Sequence, residues 1–345
     1  MARLFFLLSG EHPTLPLSEL RAIFEAVGYE YRIEERLPQV LLVEADSKSV
    51  EAVKSRSAMT RVCGLELFNC DATVASILGK ARAVSLEGFL EEGESLAVRI
   101  RRIRGSASSI DRLELERKLG KVILSRTKGT TANLTKPQRT FFGVLTENRF
   151  VFGLKMAEIR AKPFIERNPQ KRPFFHPSAM SAKLARCMVN LARPKPGDLV
   201  LDPFCGAASI LVEAGLMGCR VMGLDVQPHM VRGSLKNLLH YGLEPEAVAV
   251  ADARRLPLTK TDCIVTDPPY GRSATTLGWG TQQLVEEALS AIIERLSKGW
   301  RICIASPKSI RIGEIGERLD LKHVESHLVY VHRSLTREIA VFERV

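Results

Sequence analysis

The chain contains no Cys-x-x-Cys pair, and none of its seven cysteines stands with a histidine at zinc-ligand spacing, so a zinc module is not expected. The cysteines, at 63, 70, 187, 205, 219, 263 and 303, sit mostly inside apolar segments. They read as small buried hydrophobes in a reducing compartment, and nothing in their spacing supports a Cys63–Cys70 bridge. No run approaches the ~18 apolar residues that a membrane span needs. The apolar start, Met1 to Leu8, is short and closes at Ser9-Gly10-Glu11 with no small-residue cleavage site, so a first β-strand is expected there rather than a signal peptide. Repeats and low-complexity segments are missing, and so is the dinucleotide fingerprint G-x-G-x-x-G. These absences lead us to expect a cytoplasmic globular protein.

What is present is positive charge. A net charge of +11 and a pI near 9.4, on 345 residues that are 45% hydrophobic, suit two or three domains and a polyanionic partner. From 1 to about 60, apolar strands at Leu4–Leu8 and Val40–Val43 alternate with helical patterns at Leu17–Val27 and Ser49–Met59, as in a small α+β domain. From 61 to 154 runs a basic block. Leu96 to Arg104 alternates partly like a strand with arginines on one face, and Asp111 to Ser125 places Leu115, Leu119, Val122 and Ile123 on one helical face. A charged, proline-punctuated stretch, 155–171, reads as a linker. Strands and helices then alternate from 172 to 345. A helix is expected over Pro177–Ala192. Strands are expected at Leu199–Leu201, Arg220–Leu224, Ala247–Val250, Cys263–Thr266, Arg301–Ala305, Leu328–Val331 and Glu338–Phe342. The last two have only a short connection, so the final strand should run antiparallel in an otherwise parallel, doubly wound α/β sheet of seven strands.

The chemistry concentrates at strand ends. Ile264-Val265-Thr266 runs into Asp267-Pro268-Pro269-Tyr270-Gly271, and two prolines end the strand at Asp267. One carboxylate, two proline carbonyls and an aromatic ring then share the carboxyl edge, where open α/β sheets bind ligands. That acceptor cluster suits a planar group with an exocyclic amine, a nucleobase; a bare Asp-Pro-Pro is also an ordinary capped turn. Three earlier strands end in Asp202-Pro203-Phe204-Cys205-Gly206, Gly223-Leu224-Asp225-Val226 and Ala251-Asp252-Ala253. Asp202 would welcome an ammonium group, Asp225 a pair of ribose hydroxyls and Asp252 the amine of adenine. Any one of them is an ordinary helix cap. Four in succession are not.

In this order the motifs resemble those of class I S-adenosylmethionine methyltransferases, in the branch that methylates exocyclic amines of bases. Arg172-Pro173-Phe174-Phe175-His176-Pro177 resembles the segment that closes over the cofactor. Ile103-Arg104-Gly105, Leu113 to Gly120 and Asn133-Leu134-Thr135-Lys136-Pro137 look like a THUMP domain, an RNA-binding module of tRNA-modifying enzymes. With a ferredoxin-like domain in front, the whole is similar to the archaeal tRNA guanosine-10 N2-methyltransferases. Ala207-Ala208 stands where relatives often carry glycine.

The resemblance implies a ferredoxin-like domain at 1–60, THUMP at 61–154 and a Rossmann-like methyltransferase at 172–345. S-adenosylmethionine would be held by Phe174, His176, Asp202, Phe204, Gly206, Asp225, Val226, Asp252, Ala253 and Asp267. Asp267 and the Pro268-Pro269 carbonyls would take both N–H bonds of a guanine amine, Tyr270 would stack on the base, and Asp267 would receive the released proton. Arg101, Arg104, Arg112, Lys136 and Arg139 are the candidate contacts to tRNA phosphates, each equally readable as a solvated cation. His176 equally reads as a cap of the following helix. Two other readings stand beside this one: a DNA adenine-N6 or cytosine-N4 methyltransferase, and a non-catalytic RNA-binding protein with a degenerate methyltransferase fold. No metal, membrane or obligatory protein partner is expected.

Overall fold

The computed structural model describes residues 1–270 and 280–345; Gly271 of the Asp-Pro-Pro-Tyr-Gly string lies outside them. The first part of the chain forms β1 (Ala2–Leu8), α1 (Leu15–Val27), β2 (Tyr31–Leu37), β3 (Val40–Ala45), α2 (Ser49–Arg56), β4 (Thr60–Asp71), α3 (Val74–Ala83), β5 (Ser95–Arg102), α4 (Arg112–Leu124), β6 (Thr131–Ala132), β7 (Arg139–Thr146) and β8 (Arg149–Glu158). The rest forms α5 (Lys162–Glu166), α6 (Ala182–Leu191), β9 (Leu199–Asp202), α7 (Ser209–Gly215), β10 (Arg220–Asp225), α8 (Pro228–His240), β11 (Ala247–Val250), β12 (Cys263–Thr266), α9 (Thr281–Arg295), β13 (Arg301–Pro307), α10 (Ile312–Arg318), β14 (Leu321–His332) and β15 (Leu335–Arg344).

Contacts divide the chain into two compact units: residues 1–11, 29–54 and 60–159, and residues 12–28, 55–59 and 160–345. In the first, eight strands form one sheet in the order β2-β3-β1-β4-β8-β7-β5-β6. β5 pairs in parallel with β6 and β7, and the other neighbours are antiparallel. Leu115, Leu119 and Ile123 of α4 bury against Ile77 of α3 and Phe141, Phe150 and Phe152 of the sheet. Asp111 starts α4 by accepting the Glu114 amide at 2.8 Å, an ordinary N-cap. β2 has no apolar run to announce it. Its sequence, Tyr-Arg-Ile-Glu-Glu-Arg-Leu, is that of an edge strand, and among the described residues it pairs only with β3.

The second unit contains a seven-stranded sheet, β11-β10-β9-β12-β13-β15-β14, in which β15 alone runs against its neighbours. The expected seven strands and the reversed last strand are all present. α6 begins at Ala182, five residues later than the periodicity suggested, because the Ser181 hydroxyl accepts the Leu184 amide and caps it there. α1 packs on α6 in this unit. The fully buried Glu19 of α1 accepts from the Ser57 hydroxyl at 2.6 Å, the Met59 amide at 2.8 Å and Asn190 Nδ2 at 2.9 Å. Those bonds end α2 at Arg56, short of the expected Met59. Glu213 of α7, fully buried, is clamped by Arg167 and Arg186 at 2.7 and 2.9 Å. All seven cysteines are free and buried. Burial pushes the Cys63 thiol up to about 12.

Candidate active site

The order of the sheet reverses between β9 and β12. The chain goes outward one way from β9 to β10 and β11, and the other way from β12 to β13. That reversal opens a crevice at the carboxyl ends of the strands, the usual ligand position of such sheets. The acids of β9 and β12, Asp202 and Asp267, flank it. Thr266 on β12 donates its hydroxyl to Asp202 Oδ1 at 2.7 Å, tying the two strand ends together, and the Phe204 amide donates to the same oxygen at 3.1 Å. Asp202 is only 2% exposed, so it lies beneath the crevice surface. Burial pushes its carboxyl up to about 7, against those two hydrogen bonds, and the Asp267 and Asp225 charges push the same way.

At the other side of the crevice Asp267 is engaged at both oxygens. The Tyr270 hydroxyl donates to Oδ1, and Arg337 Nη2 sits 3.2 Å from Oδ2. Arg337 Nε also donates to the Tyr270 oxygen at 2.8 Å, and its guanidinium lies 5.4 Å from the ring centroid. Burial raises the Asp267 carboxyl above its usual range, opposed by Arg337 and by the Tyr270 bond. Burial and the Asp267 charge raise the Tyr270 phenol far beyond neutrality, so it stays a donor. Arg337 belongs to β15 and comes 70 residues after Asp267. The antiparallel return of that strand sets it opposite Pro307, at the edge where β12 ends. No motif marks it, and sequence reading passed over it.

The remaining carboxylates lie along the β9–β10–β11 side. Asp225 Oδ2 accepts the Gly206 amide at 3.1 Å and Oδ1 the Gln227 amide at 2.9 Å. Each carboxylate oxygen can accept twice, so acceptor sites remain on both. Burial raises the Asp225 carboxyl; those hydrogen bonds and the nearby His229 and His176 oppose it. Gly206 adopts φ 51°, and Ala208, where relatives often have glycine, adopts φ 60° to open α7. Asp252 is occupied by Arg254, whose Nη2 lies 2.6 Å from Oδ2 and whose Nη1 reaches Glu287 at 3.3 Å. Val226 is half-buried and Ala253 buried at the same edge. Phe174 is held by Asn237, which accepts its amide and donates to its carbonyl, both at 2.9 Å. Asn237 also donates to the Ala207 carbonyl at 3.0 Å, and Ser234 donates to the Gly206 carbonyl at 2.6 Å. These two α8 residues join the Phe174 segment to the glycine turn, and polar helix residues without a motif gave no sign of it. His176 bonds Ser178 through Nδ1 at 2.7 Å, in the turn before α6.

A left-handed glycine turn beside two partly exposed acceptor acids, Asp225 and Asp252, is a set that fits a nucleoside-bearing cation. Comparison with known proteins is decisive. A family model described as an RMKL-like methyltransferase domain matches residues 169–339, and a THUMP-domain model matches residues 71–154. The tRNA (guanine(10)-N2)-dimethyltransferase of Methanothermobacter thermautotrophicus is 40% identical over 348 residues, covering 98% of each chain. That of Methanocaldococcus jannaschii is 33% identical and covers 99% of each. The chain belongs to the tRNA (guanine(10)-N2)-methyltransferase family. Thermus thermophilus TrmN has the same fold, with a TM-score of 0.56, 20% identity and coverage of 99% of this chain and all of that one. S-adenosylmethionine is the expected cofactor of this family.

The family's THUMP domain lies in the first unit. There Arg101, Arg104, Arg112 and Lys136 are exposed. Arg139 is half-buried and held by Glu94 through Nε at 2.9 Å. A groove of about 610 Å3 between α4 and β5 gathers further cations, Arg99, Arg117 and Lys121, beside Arg112 and the exposed Leu113 and Leu134. Arg117 and Lys121 share α4 with Arg112, and only folding sets Arg99 of β5 beside them, so the sequence reading did not gather the three. Among the described residues no cluster of His, Cys, Asp or Glu could hold a metal, and no helix is long and apolar enough to cross a membrane.

Proposed function

We propose that the chain methylates the exocyclic N2 amine of guanosine-10 in tRNA, adding one methyl and then a second. The observation that carries this reading is full-length relatedness to tRNA (guanine(10)-N2)-dimethyltransferases combined with an intact Asp267–Tyr270 corner. The THUMP match favours RNA over DNA as the polymer. Bound S-adenosylmethionine supplies a methyl group on a sulfonium centre. Gly206, Phe204 and Val226 would line its seat, with Asp225 accepting from ribose hydroxyls. Asp252 and Ala253 would meet the adenine once Arg254 yields an oxygen of Asp252. Asp202 would oppose the ammonium end from below, and Phe174 and His176 would cover the site.

The N2 amine of guanine is a weak nucleophile because its lone pair is delocalised into the ring. Asp267 and the Pro268-Pro269 carbonyls would accept its two N–H bonds and favour the pyramidal nitrogen needed for in-line attack. Asp267 then takes the released proton. The Tyr270 hydroxyl leaves Oδ1 as the amine arrives, and its ring stacks on the base. Arg337, beside Oδ2, keeps the carboxylate charged until the proton arrives. A paired guanine must first be unstacked, at a cost of a few kcal/mol. Phosphate contacts from Arg101, Arg104, Arg112, Lys136 and Arg139 would offset that cost without reading sequence.

In module terms we assign residues 1–60 to a ferredoxin-like domain, 61–154 to THUMP, 155–171 to a linker and 172–345 to the methyltransferase. The reaction needs tRNA and S-adenosylmethionine and takes place in the cytoplasm, with no metal, membrane or obligatory protein partner. The test is nucleoside mass spectrometry of unmodified tRNA incubated with protein and cofactor. N2-methyl- and N2,N2-dimethylguanosine at position 10 are expected; methylation of adenine, or none, would overturn the reading.

A further inference from the structure

We infer that a basic groove beside the catalytic corner, built from Lys308, Ser309, Arg311, Arg333 and Ser334, binds the phosphate backbone of the RNA next to the target guanosine. The inference rests on the proposed tRNA reading and adds a second RNA contact, on the methyltransferase unit itself. The groove has a volume of about 510 Å3 and is walled by the end of β13, the turn after it and the β14–β15 hairpin. Among the described residues its lining carries three cations, three hydroxyl side chains and no carboxylate. Neither Lys308 nor Arg333 is paired with an acid among the described residues; Arg311 meets only the exposed Glu314, at 3.5 Å.

Topology explains why these residues share one place. β13 lies beside β12 in parallel, so its carboxyl end, Pro307, reaches the same edge as Asp267. β15 returns antiparallel, pairing Arg337 with Pro307, and its hairpin turn at Arg333-Ser334 therefore projects from that edge too. Two strand spacings separate the groove from the Asp267 strand, roughly 10 Å. That is within reach of the phosphates of the flipped nucleotide and its neighbour. Arg311 is held at φ 53° and ψ 55°, a left-handed conformation that residues with side chains rarely adopt. Such outliers occur where a side chain must be aimed, and this one stands on the groove wall. Three cations, two of them paired with no acid among the described residues, stand at the substrate side of the pocket, and that is the chemistry that recognises a polyanion passing the site.

The experiment compares the full-length protein with a K308A/R333A double variant, using unmodified tRNA made by transcription as the probe. Tm with and without S-adenosylmethionine checks that the variant folds and keeps the cofactor site, since both residues are exposed. Binding is then measured across salt concentrations, and turnover at saturating tRNA. Loss of two phosphate contacts should lower the slope of log affinity against log salt by about 2 and weaken binding about ten-fold near physiological salt. It should also lower kcat several-fold, because the backbone beside the base is no longer held. An unchanged slope with tRNA binding intact in both proteins overturns the groove and leaves the parent reading standing. Wild-type protein that binds no tRNA overturns both.

Discussion

Replacing Asp202 by asparagine should make the protein more stable at pH 8 while weakening its hold on the cofactor. The Asp202 carboxyl is pushed up to about 7 from 3.8, chiefly by burial. The folded state therefore binds this proton more tightly than the unfolded chain does. The stability this confers is fully present below about pH 4 and is lost as pH rises to about 7. Above that pH, keeping the charge buried costs on the order of 4 kcal/mol, at 1.36 kcal/mol per pKa unit. Asparagine removes the charge and keeps an oxygen for Thr266 and Phe204, but its amide N–H groups need acceptors, at a cost of roughly 1–3 kcal/mol if none is found. The net gain at pH 8 is then about 1–3 kcal/mol, or roughly 2–12 °C in Tm. Chemical denaturation followed by circular dichroism at pH 5, 6.5 and 8 reads the effect, because burial is the largest cause of the Asp202 shift and the Asp225 and Asp267 charges are lesser ones. Stability curves that fall in parallel between pH 5 and 8 would refute the buried-charge argument. In the same buffers, wild-type affinity for S-adenosylmethionine should decline as pH drops below about 7, and the variant should be weaker and flat.

Asp267→Ala should abolish methyl transfer while tRNA binding and the cofactor-induced rise in Tm persist; measurable turnover would remove Asp267 from the chemistry. Arg337→Gln takes a cation from beside Oδ2 of a carboxyl that burial already raises. The acid limb of the kcat profile should move to higher pH; an unmoved limb with reduced kcat would mean Arg337 only packs against Tyr270. Glu213→Gln leaves Arg186, 5% exposed, without its anion. Unfolding free energy should fall by about 3–5 kcal/mol, and a loss below 1 kcal/mol in urea denaturation would show that the pair offsets only its own desolvation.

The strand-end acids were legible because each lies where an apolar run stops, and a proline directly follows Asp202 and Asp267. The same logic located β9, β10, β11 and β12 and the reversed last strand. It failed where local pattern and tertiary role diverge. β2 is polar because it is an edge strand, and β4 carries Gly64, Glu66 and Asn69 among its apolar residues. α2 ends at Arg56 because Glu19, distant in sequence, takes the amides of Ala58 and Met59. Among site residues, Asn237, Ser234 and Arg337 act through partners 28 to 70 positions away and carry no local signature.

The amino-acid order by itself determined which residue types stand at the strand ends, that the C-terminal part is a doubly wound sheet, and that the chain is basic enough to meet a polyanion. Turn propensity, apolar periodicity and charge are local properties, readable one segment at a time. Only the tertiary structure decided the state of those residues: Asp202 sunk beneath the crevice and raised toward neutrality, Asp252 held by Arg254, Asp267 gripped by Arg337. Burial and ion pairing depend on what packs from elsewhere in the chain. The antiparallel return of β15 supplies both that arginine and the basic groove beside it.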